Sequence, residues 1–333
     1  MPGAEPSPGE EVPGEQGPVR PGRLVRTRET AWRIAVSTVD SSMRYRVTGL
    51  AAEAAFFTVL SVPPLIFALA GAIGYVTQSF SPDQVDHVRT AILDLAGRFL
   101  TDSAVTRVIQ PTIDDVLRGG RFDVISVGFV LSLWSGSRAM HVFVETITIM
   151  HGLGGHRGIV KTRALSFSLY LLAIVTGVVA LPLVVAGPSL VRHWLPDRAH
   201  FLVGFYWPTV LVFSVCFLAT LYHVSIPVRT SWRINLPGAT FALGVWLLGS
   251  FLLREFLTVT AADSRSIYGP LAAPIAVLLW LYILSIAVLV GAALNAAFDT
   301  VFPQQQTTRA RLELVQRLRQ RRSRESGTDE PVD

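Results

Sequence analysis

The sequence predicts an all-α fold: a polytopic membrane bundle of six transmembrane helices, with an amphipathic helical hairpin in the first outer loop. Half of the 333 residues are hydrophobic and only 16% are charged, whereas about 25% of an ordinary soluble domain is charged. A transmembrane helix needs about 20 mostly apolar residues in succession. Six stretches with little charge meet that requirement, namely residues 47–76, 124–150, 164–185, 201–226, 236–253 and 269–298.

Two segments precede the first predicted span. Residues 1–25 are rich in Pro, Gly and Glu, a composition that predicts a disordered cytoplasmic tail. Between residues 29 and 46, four apolar side chains recur at helical spacing beside arginines, which predicts a helix lying in the membrane interface. These four are Trp32, Val36, Val39 and Met43. A cytoplasmic helix packed on the protein is the alternative. We expect residues 26–300 to form one membrane domain.

The first outer loop, residues 77–123, is too long and too regular in its pattern to be a simple connection. Two sets of apolar residues recur in it at helical spacing, first Val85, Val88, Ile92, Leu95 and Phe99, then Val105, Val108, Ile109, Val116 and Leu117. They predict an amphipathic helical hairpin over the outer surface. The hairpin is interpreted as a structural cap or as a lid over a cavity.

The distribution of basic residues predicts the orientation. Of the 29 basic residues 28 are Arg, and with both termini inside, 19 lie on the cytoplasmic side, 9 on the outer side and one, Arg138, within a span. Cytoplasmic loops retain positive charge, so both termini are expected inside. The tail, residues 301–333, is rich in Arg and is expected to contact anionic lipid head groups. Its Arg-rich segment, residues 309–324, lacks the aromatic residues that stack bases, so no nucleic-acid partner is predicted.

The second predicted span contains three polar residues whose presence in hydrocarbon needs an explanation. Arg138, His141 and Glu145 lie within about 60° of one another on a helix. Arg138 and Glu145 are about 10.5 Å apart along the axis, too far for a direct pair, so a partner from another helix is expected. Glu53, near the cytoplasmic end of the first span, fits. The cluster is interpreted as a polar vestibule open to the cytoplasm or as an ion-pair clamp between helices.

Other residues within the spans are polar, small or helix-breaking. Pro63 and Pro64 should free backbone carbonyl groups in the first span, which serves as a substrate site in some transporters and is otherwise accommodated by packing. Asn295 is expected to hydrogen-bond across helices. Small residues at four-residue spacing predict close helix packing, at Gly291, Ala292, Asn295 and Ala296 in the last span and at Gly238, Ala242 and Gly249 in the fifth.

Catalytic motifs are missing from the sequence. It contains no GxxxxGK[ST], GxSxG, HExxH or HxHxDH pattern, and its single cysteine, Cys216, excludes an intramolecular disulfide and a zinc site built from cysteines. His151 and His156 flank a Gly-rich turn, interpreted as a connection rather than a metal site. No cofactor, no metal and no enzymatic activity are therefore expected.

Several stretches together resemble the YihY/BrkB family of bacterial inner-membrane proteins. They are residues 50–75 (LAAEAAFFTVLSVPPLIFALAGAIGY), 124–140 (VISVGFVLSLWSGSRAM), 235–246 (NLPGATFALGVW) and 266–298, which contains YGPLAAPIAVLLWLY and GAALNA. The resemblance implies six helices and a sizeable loop after the first. By this likeness, the family's motif positions fall on Glu53, Pro63, Trp134, Arg138, Tyr268, Gly269, Trp280 and Asn295. Some members carry a ribonuclease label, but the family implies no settled reaction.

Two hypotheses follow from these patterns. The first is a transporter-like protein of the bacterial inner membrane that handles an amphipathic or anionic substrate, such as a lipid, in a vestibule formed by Glu53, Arg138, His141, Glu145 and Asn295. The second is a non-transporting scaffold or envelope-integrity factor in which the same charges only hold helices together. A homo-oligomer is compatible with both.

Overall fold

A computed structural model of the chain describes residues 23–76, 122–194, 205–228, 230–261, 272–303 and 305–326, together with scattered positions between 86 and 114. The regular structure in these ranges is helical. The eight α-helices are α1 (Arg23–Arg44), α2 (Val47–Val76), α3 (Phe122–Met150), α4 (Ile159–Trp194), α5 (Tyr206–Ser225), α6 (Leu236–Ala261), α7 (Ala272–Val301) and α8 (Gln305–Ser326). A short 3₁₀ helix, Trp232–Asn235, leads into α6.

Six of these helices, α2 to α7, are long and apolar enough to cross a membrane. They confirm the six predicted spans and the all-α membrane fold. Two predicted spans were too short. α4 begins before residue 164 and continues beyond residue 185 to Trp194, and α6 continues beyond residue 253 through Arg254 and Glu255. A charged residue ends an apolar stretch, but it does not interrupt the backbone hydrogen bonds of a helix.

Other boundaries differ at the start of a span. α5 begins at Tyr206 rather than residue 201, and the interval 201–204 lies outside the described residues. Pro208 falls in its first turn, where a missing N–H costs no intrahelical hydrogen bond. α7 begins at residue 272, and the predicted start at residue 269, with Tyr268, also lies outside the described part.

The bundle has a clear packing order. α2 packs most extensively on α3, α6 packs on α7, and α7 also contacts α2. α4 lies at the edge of the bundle, where it packs mainly on α3. The core consists of small and branched apolar residues from α2, α3, α5 and α7, among them Ala51, Ala54, Val144, Ile147, Tyr222, Leu289, Ala292 and Ala293.

The predicted small-residue surfaces lie where α6 crosses α7. A Cβ atom built on Gly291 would lie 2.6 Å from the Gly238 carbonyl oxygen, and one on Gly238 would overlap the Gly291 carbonyl. Gly249 instead leaves room for the side chain of Ile283. Only glycine permits this approach of two helix backbones, so the prediction of close packing is confirmed.

α1 packs against α7 through a narrow face that contains the buried residues Ile34 and Thr38. The predicted apolar stripe lies on the other side of the helix and is exposed along its length, at Trp32, Val36, Val39 and Met43. The predicted tail, residues 1–25, falls outside the described residues except where α1 begins. α1 therefore packs on the protein and also presents an apolar surface outward.

The hairpin predicted for the first outer loop lies mostly outside the described residues. The described positions within it, between residues 86 and 114, are helical, and Arg89 Nε lies 2.5 Å from Asp114 Oδ1. This ion pair joins two parts of the loop that are 25 residues apart. Of the apolar residues that predicted the hairpin, only Val105 is described, so the hairpin stays a prediction.

Candidate functional site: a charged groove on α3

Two contacts fix the register between the antiparallel helices α2 and α3. A Cβ atom on Gly128 would lie 3.2 Å from the Pro64 carbonyl oxygen. Further along, Arg138 Nη2 donates a hydrogen bond of 3.1 Å to Glu53 Oε1. The two contacts are about 16 Å apart along α2 and about 15 Å apart along α3, so the helices stay in step. The predicted pairing of Arg138 with Glu53 is confirmed.

The ion pair is only partly covered. The side chains of Arg138 and Glu53 are 41% and 36% exposed at the surface of the bundle. The guanidinium carbon lies 5.6 Å from the centre of the Phe57 ring, and that ring meets Trp134 edge to face. A guanidinium has five N–H donors, of which Arg138 uses one within the described residues. The other four donors have no hydrogen-bond partner in that part of the chain and can bind another group.

His141 and Glu145 form a second pair on the same helix. His141 Nε2 lies 3.1 Å from Glu145 Oε2, and the Glu145 side chain is 56% exposed. The other ring nitrogen, Nδ1, lies 3.5 Å from the Ser166 hydroxyl of α4. As the axial distance predicted, Glu145 does not pair with Arg138.

Arg163 is a fourth charged residue of this region, and the sequence analysis missed it. It lies on α4 one turn before Ser166, whose hydroxyl is 3.5 Å from His141 Nδ1. It makes no ion pair with any carboxylate in the part of the chain that the structure describes. The predicted span began at residue 164, which placed Arg163 in a loop. The signal available was its spacing of three residues from Ser166 at the start of an apolar helix.

These residues line one side of α3, which we call the α3 groove. Its floor is the outward face of the helix, with Val127, Val130, Leu131, Trp134, Arg138, His141 and Glu145. Glu53 and Phe57 of α2 flank it on one side, and Arg163 and Ser166 of α4 flank it on the other. The opposite face of α3 is buried in the bundle. The charged residues thus lie on the lateral surface of the bundle, between α2 and α4.

Three other predicted residues take part in helix packing. Asn295 accepts a hydrogen bond of 2.8 Å from Gly238 N and donates one of 3.2 Å to the Asn235 carbonyl. It satisfies a free backbone donor in the first turn of α6, and neither of its partners belongs to the α3 groove. Pro63 and Pro64 lie within the continuous helix α2, at least about 15 Å along the axis from Glu53.

The floor of the groove is held in place from α4. Gly136 leaves room for the ring of Tyr170, which a Cβ atom would overlap. The Tyr170 hydroxyl lies 3.0 Å from Ser132 Oγ, a buried atom one turn away. Ser132 and Gly136 therefore serve to bring α4 close to α3. The sequence analysis missed this contact, although Ser132 and Gly136 share four-residue spacing.

Two further arginines lie at the end of the bundle where α3 ends and α4 begins. Arg157 donates to the carbonyl oxygens of Val224, Ser225 and Ile226, at 3.0, 3.1 and 3.1 Å. These groups lie at the end of α5, where backbone acceptors lack helical partners. Burial lowers the pKa of Arg157, but an arginine in these surroundings stays protonated.

The second arginine, Arg311 of α8, donates to Asp299 Oδ2 at 2.7 Å and to the His151 carbonyl at 2.8 Å. His151 is fully buried, its Nδ1 lies 2.8 Å from the Ile147 carbonyl, and burial lowers its pKa. Gly152 and Gly155 have φ values of 70° and 78°, which glycine adopts without strain. The Gly-rich turn is thus a structural connection. Within the described residues, no group of three or more His, Cys, Asp or Glu is arranged to hold a metal ion.

These features define an integral helical membrane protein with a charged groove on its surface. The sequence pattern of the family described as virulence factor BrkB matches residues 38–313, from the second half of α1 into α8. The chain belongs to the BrkB family, and the resemblance inferred from the motifs is confirmed. The chain is also similar to the ribonuclease-like protein YfkH of Bacillus subtilis (strain 168), with 25% identity over 251 residues, which cover 74% of this chain and 87% of that protein. No solved structure matches the chain.

Proposed function

We propose that this protein is a transporter-like membrane protein that handles an amphipathic or anionic substrate at Arg138. The proposal depends on one observation. Arg138 lies within a span, and its one ion-pair partner among the described residues, Glu53, is partly exposed. A charge in a membrane span costs several kcal/mol unless it is paired or hydrated. Arg138 has four N–H donors that no described residue uses, and it is therefore suited to bind an anion.

The geometry supports an exchange of partners. Glu53 occupies one N–H of the guanidinium, so an anionic substrate can bind the remaining donors beside it or displace it. A displaced Glu53 carboxylate would be destabilised by the low dielectric, and taking up a proton would relieve that cost. His141 and Glu145 lie on the same face and offer further sites for a proton. These groups retain the roles expected from the sequence.

The test compares binding of a fluorescent single-chain anionic lipid, NBD-labelled lysophosphatidylglycerol, to the purified full-length chain in nanodiscs. We expect Arg138→Gln to fold and to bind the probe about tenfold more weakly, the loss of about one charge-assisted hydrogen bond. Arg254→Gln is the matched control, because Arg254 is an exposed arginine on α6 outside the groove. Equal binding by Arg138→Gln and Arg254→Gln would refute the proposal.

The second candidate function, a non-transporting scaffold or envelope-integrity factor, is favoured by the register between α2 and α3. If Glu53 and Arg138 only hold that register, the single variants Glu53→Arg and Arg138→Glu should both express poorly. The double variant should then recover expression and every other property. Recovered expression without recovered probe binding would instead favour the transporter-like function.

The B. subtilis relative carries the name ribonuclease-like protein. We do not propose ribonuclease activity for this chain, because the sequence lacks the HxHxDH motif of a metal-dependent nuclease. We expect the purified chain to leave labelled RNA intact in the presence of Mg²⁺ or Zn²⁺. Cleavage that persists through purification would overturn this expectation.

We further propose an inner-membrane location with both termini in the cytoplasm. The excess of basic residues on that side supports this orientation. The exposed stripe of α1 would then lie in the membrane interface, and the arginines of α8 would face anionic head groups without a nucleic-acid partner. Reporter fusions at residue 333 and in the first outer loop test it. A terminal fusion active only outside the cytoplasm would reverse the orientation.

A further inference from the structure

We propose that the α3 groove is a lateral entry site for a phospholipid of the leaflet at the α3–α4 loop end, with Arg138 and Arg163 as the two cations that hold the phosphate. This inference rests on the proposed function. It adds the substrate class, the direction of entry and a second binding residue.

The first argument is the polarity of the groove floor. One half of the exposed face of α3 is apolar, with Val127, Val130, Leu131 and Trp134. The other half carries Arg138, His141 and Glu145. Each half is about 10.5 Å long by the rise of the helix. A phospholipid is divided in the same way, into a charged head and apolar chains.

The second argument is the direction of that polarity. The charged half lies nearer to the end of α3 at Met150, which is also the end at which α2 begins at Val47. A lipid in the leaflet at this end has its head near the helix ends and its chains toward the membrane centre. Its orientation therefore matches the groove. Glu53 lies six residues into α2, so a bound head group would be drawn about 9 Å past the start of that helix.

The third argument is charge. Arg138 has unused donors, and Arg163 makes no ion pair with the described carboxylates. Glu145 already has a partner in His141. Guanidinium groups bind phosphate oxygens in a bidentate manner. Two guanidinium groups can therefore hold one phosphate monoanion once that phosphate has displaced Glu53 from Arg138.

The fourth argument is access. As far as the described residues show, the groove is open along the surface of the bundle, because α4 lies at the edge and the α3 residues between α2 and α4 are exposed. A lipid can reach the site from the side without separating helices. Inorganic phosphate would meet the same arginines, but it would gain nothing from the apolar half of the groove.

The experiment uses the full-length chain in nanodiscs that contain phosphatidylglycerol with a photoactivatable group in one acyl chain. Cross-linked residues are located by peptide mass spectrometry. We expect labelling concentrated on residues 127–134 of α3 and on the facing surface of α2. Arg138→Gln should lower this labelling about tenfold and Arg163→Gln about threefold, since Arg138 lies within the floor and Arg163 at its edge. Arg254→Gln should leave it unchanged.

Each other outcome counts against the inference. Labelling spread evenly over all lipid-facing helices would mean ordinary surrounding lipid and would overturn it. Loss of labelling in 10-fold excess inorganic phosphate would assign the site to a soluble anion, which overturns lateral lipid entry and leaves the proposed function intact. Unchanged labelling in Arg163→Gln would remove that residue from the site. If Arg138→Gln fails to fold, Arg163→Gln still decides, because Arg163 holds no ion pair in the described structure.

Discussion

Arg138 and Arg157 are both partly covered arginines, yet their surroundings differ in kind. Arg157 donates to three backbone carbonyls at the end of α5, all within 3.1 Å. Arg138 donates to one carboxylate, and both side chains of that pair are more than one-third exposed. Arg311 resembles Arg157, because it joins Asp299 and the His151 carbonyl.

The comparison separates two uses of one side chain. A guanidinium that donates two or three hydrogen bonds to fixed acceptors, as Arg311 and Arg157 do, stabilises a structure and keeps less capacity for a ligand. A guanidinium with one partly exposed partner contributes less to stability and keeps most of its donors available. Arg157 and Arg311 are therefore expected to be structural, and Arg138 is expected to be functional. Substitutions of the three arginines should therefore differ in their effect on stability.

The largest effect is expected for Arg157→Gln. The substitution leaves three carbonyl groups at the end of α5 with at most one partner, and it removes charge-assisted bonds worth about 1.5–3 kcal/mol each before compensation by water. We expect a loss of about 3 kcal/mol, measured as a lower melting temperature in detergent. Lys161→Gln, an exposed cation in the first turn of α4, is the control. A melting temperature equal to that of the control would disprove the structural role.

Arg311→Gln should have the next largest effect, a loss of about 2 kcal/mol. Asp299 is 5% exposed, and removal of its guanidinium partner leaves a buried carboxylate less well compensated. The substitution should also release α8 from the Gly-rich turn, because the bond to the His151 carbonyl disappears. Faster hydrogen exchange in residues 305–316 would show that release. Unchanged exchange would mean that α8 is held by other contacts, such as those of Thr307 and Ala310, which are buried.

The six spans and the partner of Arg138 could be predicted from the sequence. Hydropathy and length give six spans, because a bilayer imposes the same minimum length on every span. The rise of a helix excluded a pair between Arg138 and Glu145 and indicated Glu53, and the structure shows that contact. Fixed helix geometry makes such distances calculable before the fold is known.

The structural arginines could not be identified in the same way. Arg157 and Arg311 bind backbone carbonyl groups, and every residue carries one, so no residue pattern indicates which carbonyls will be near. Arg163 was assigned to a loop because hydropathy marks the edge of an apolar stretch and not the end of a helix. The packing of Tyr170 against Gly136 depends on the position of α4, which only tertiary structure determines.

The buried histidine beside Arg311 predicts a pH dependence. Burial lowers the pKa of His151 in the folded chain, whereas an unfolded histidine titrates near about 6.5. The unfolded state therefore binds more protons below about pH 6.5, and stability falls as the pH decreases through that range and is constant above it. Melting temperatures at pH 5.5 and 7.5 should differ more in the unmodified chain than in His151→Asn. Equal differences would remove His151 as the cause.

The smallest effect on stability is expected for Arg138→Gln, a loss of about 1 kcal/mol. The lost pair is half exposed, exposed pairs contribute about 0.2–1 kcal/mol, and glutamine can still donate a hydrogen bond to Glu53. The contact with the Phe57 ring adds about 0.5–1 kcal/mol at an exposed site. The measurement is the melting temperature of Arg138→Gln beside Arg157→Gln in the same detergent. If both variants lose equal stability, Arg138 is a structural residue like Arg157 and Arg311. That result would favour the scaffold function over substrate binding in the groove.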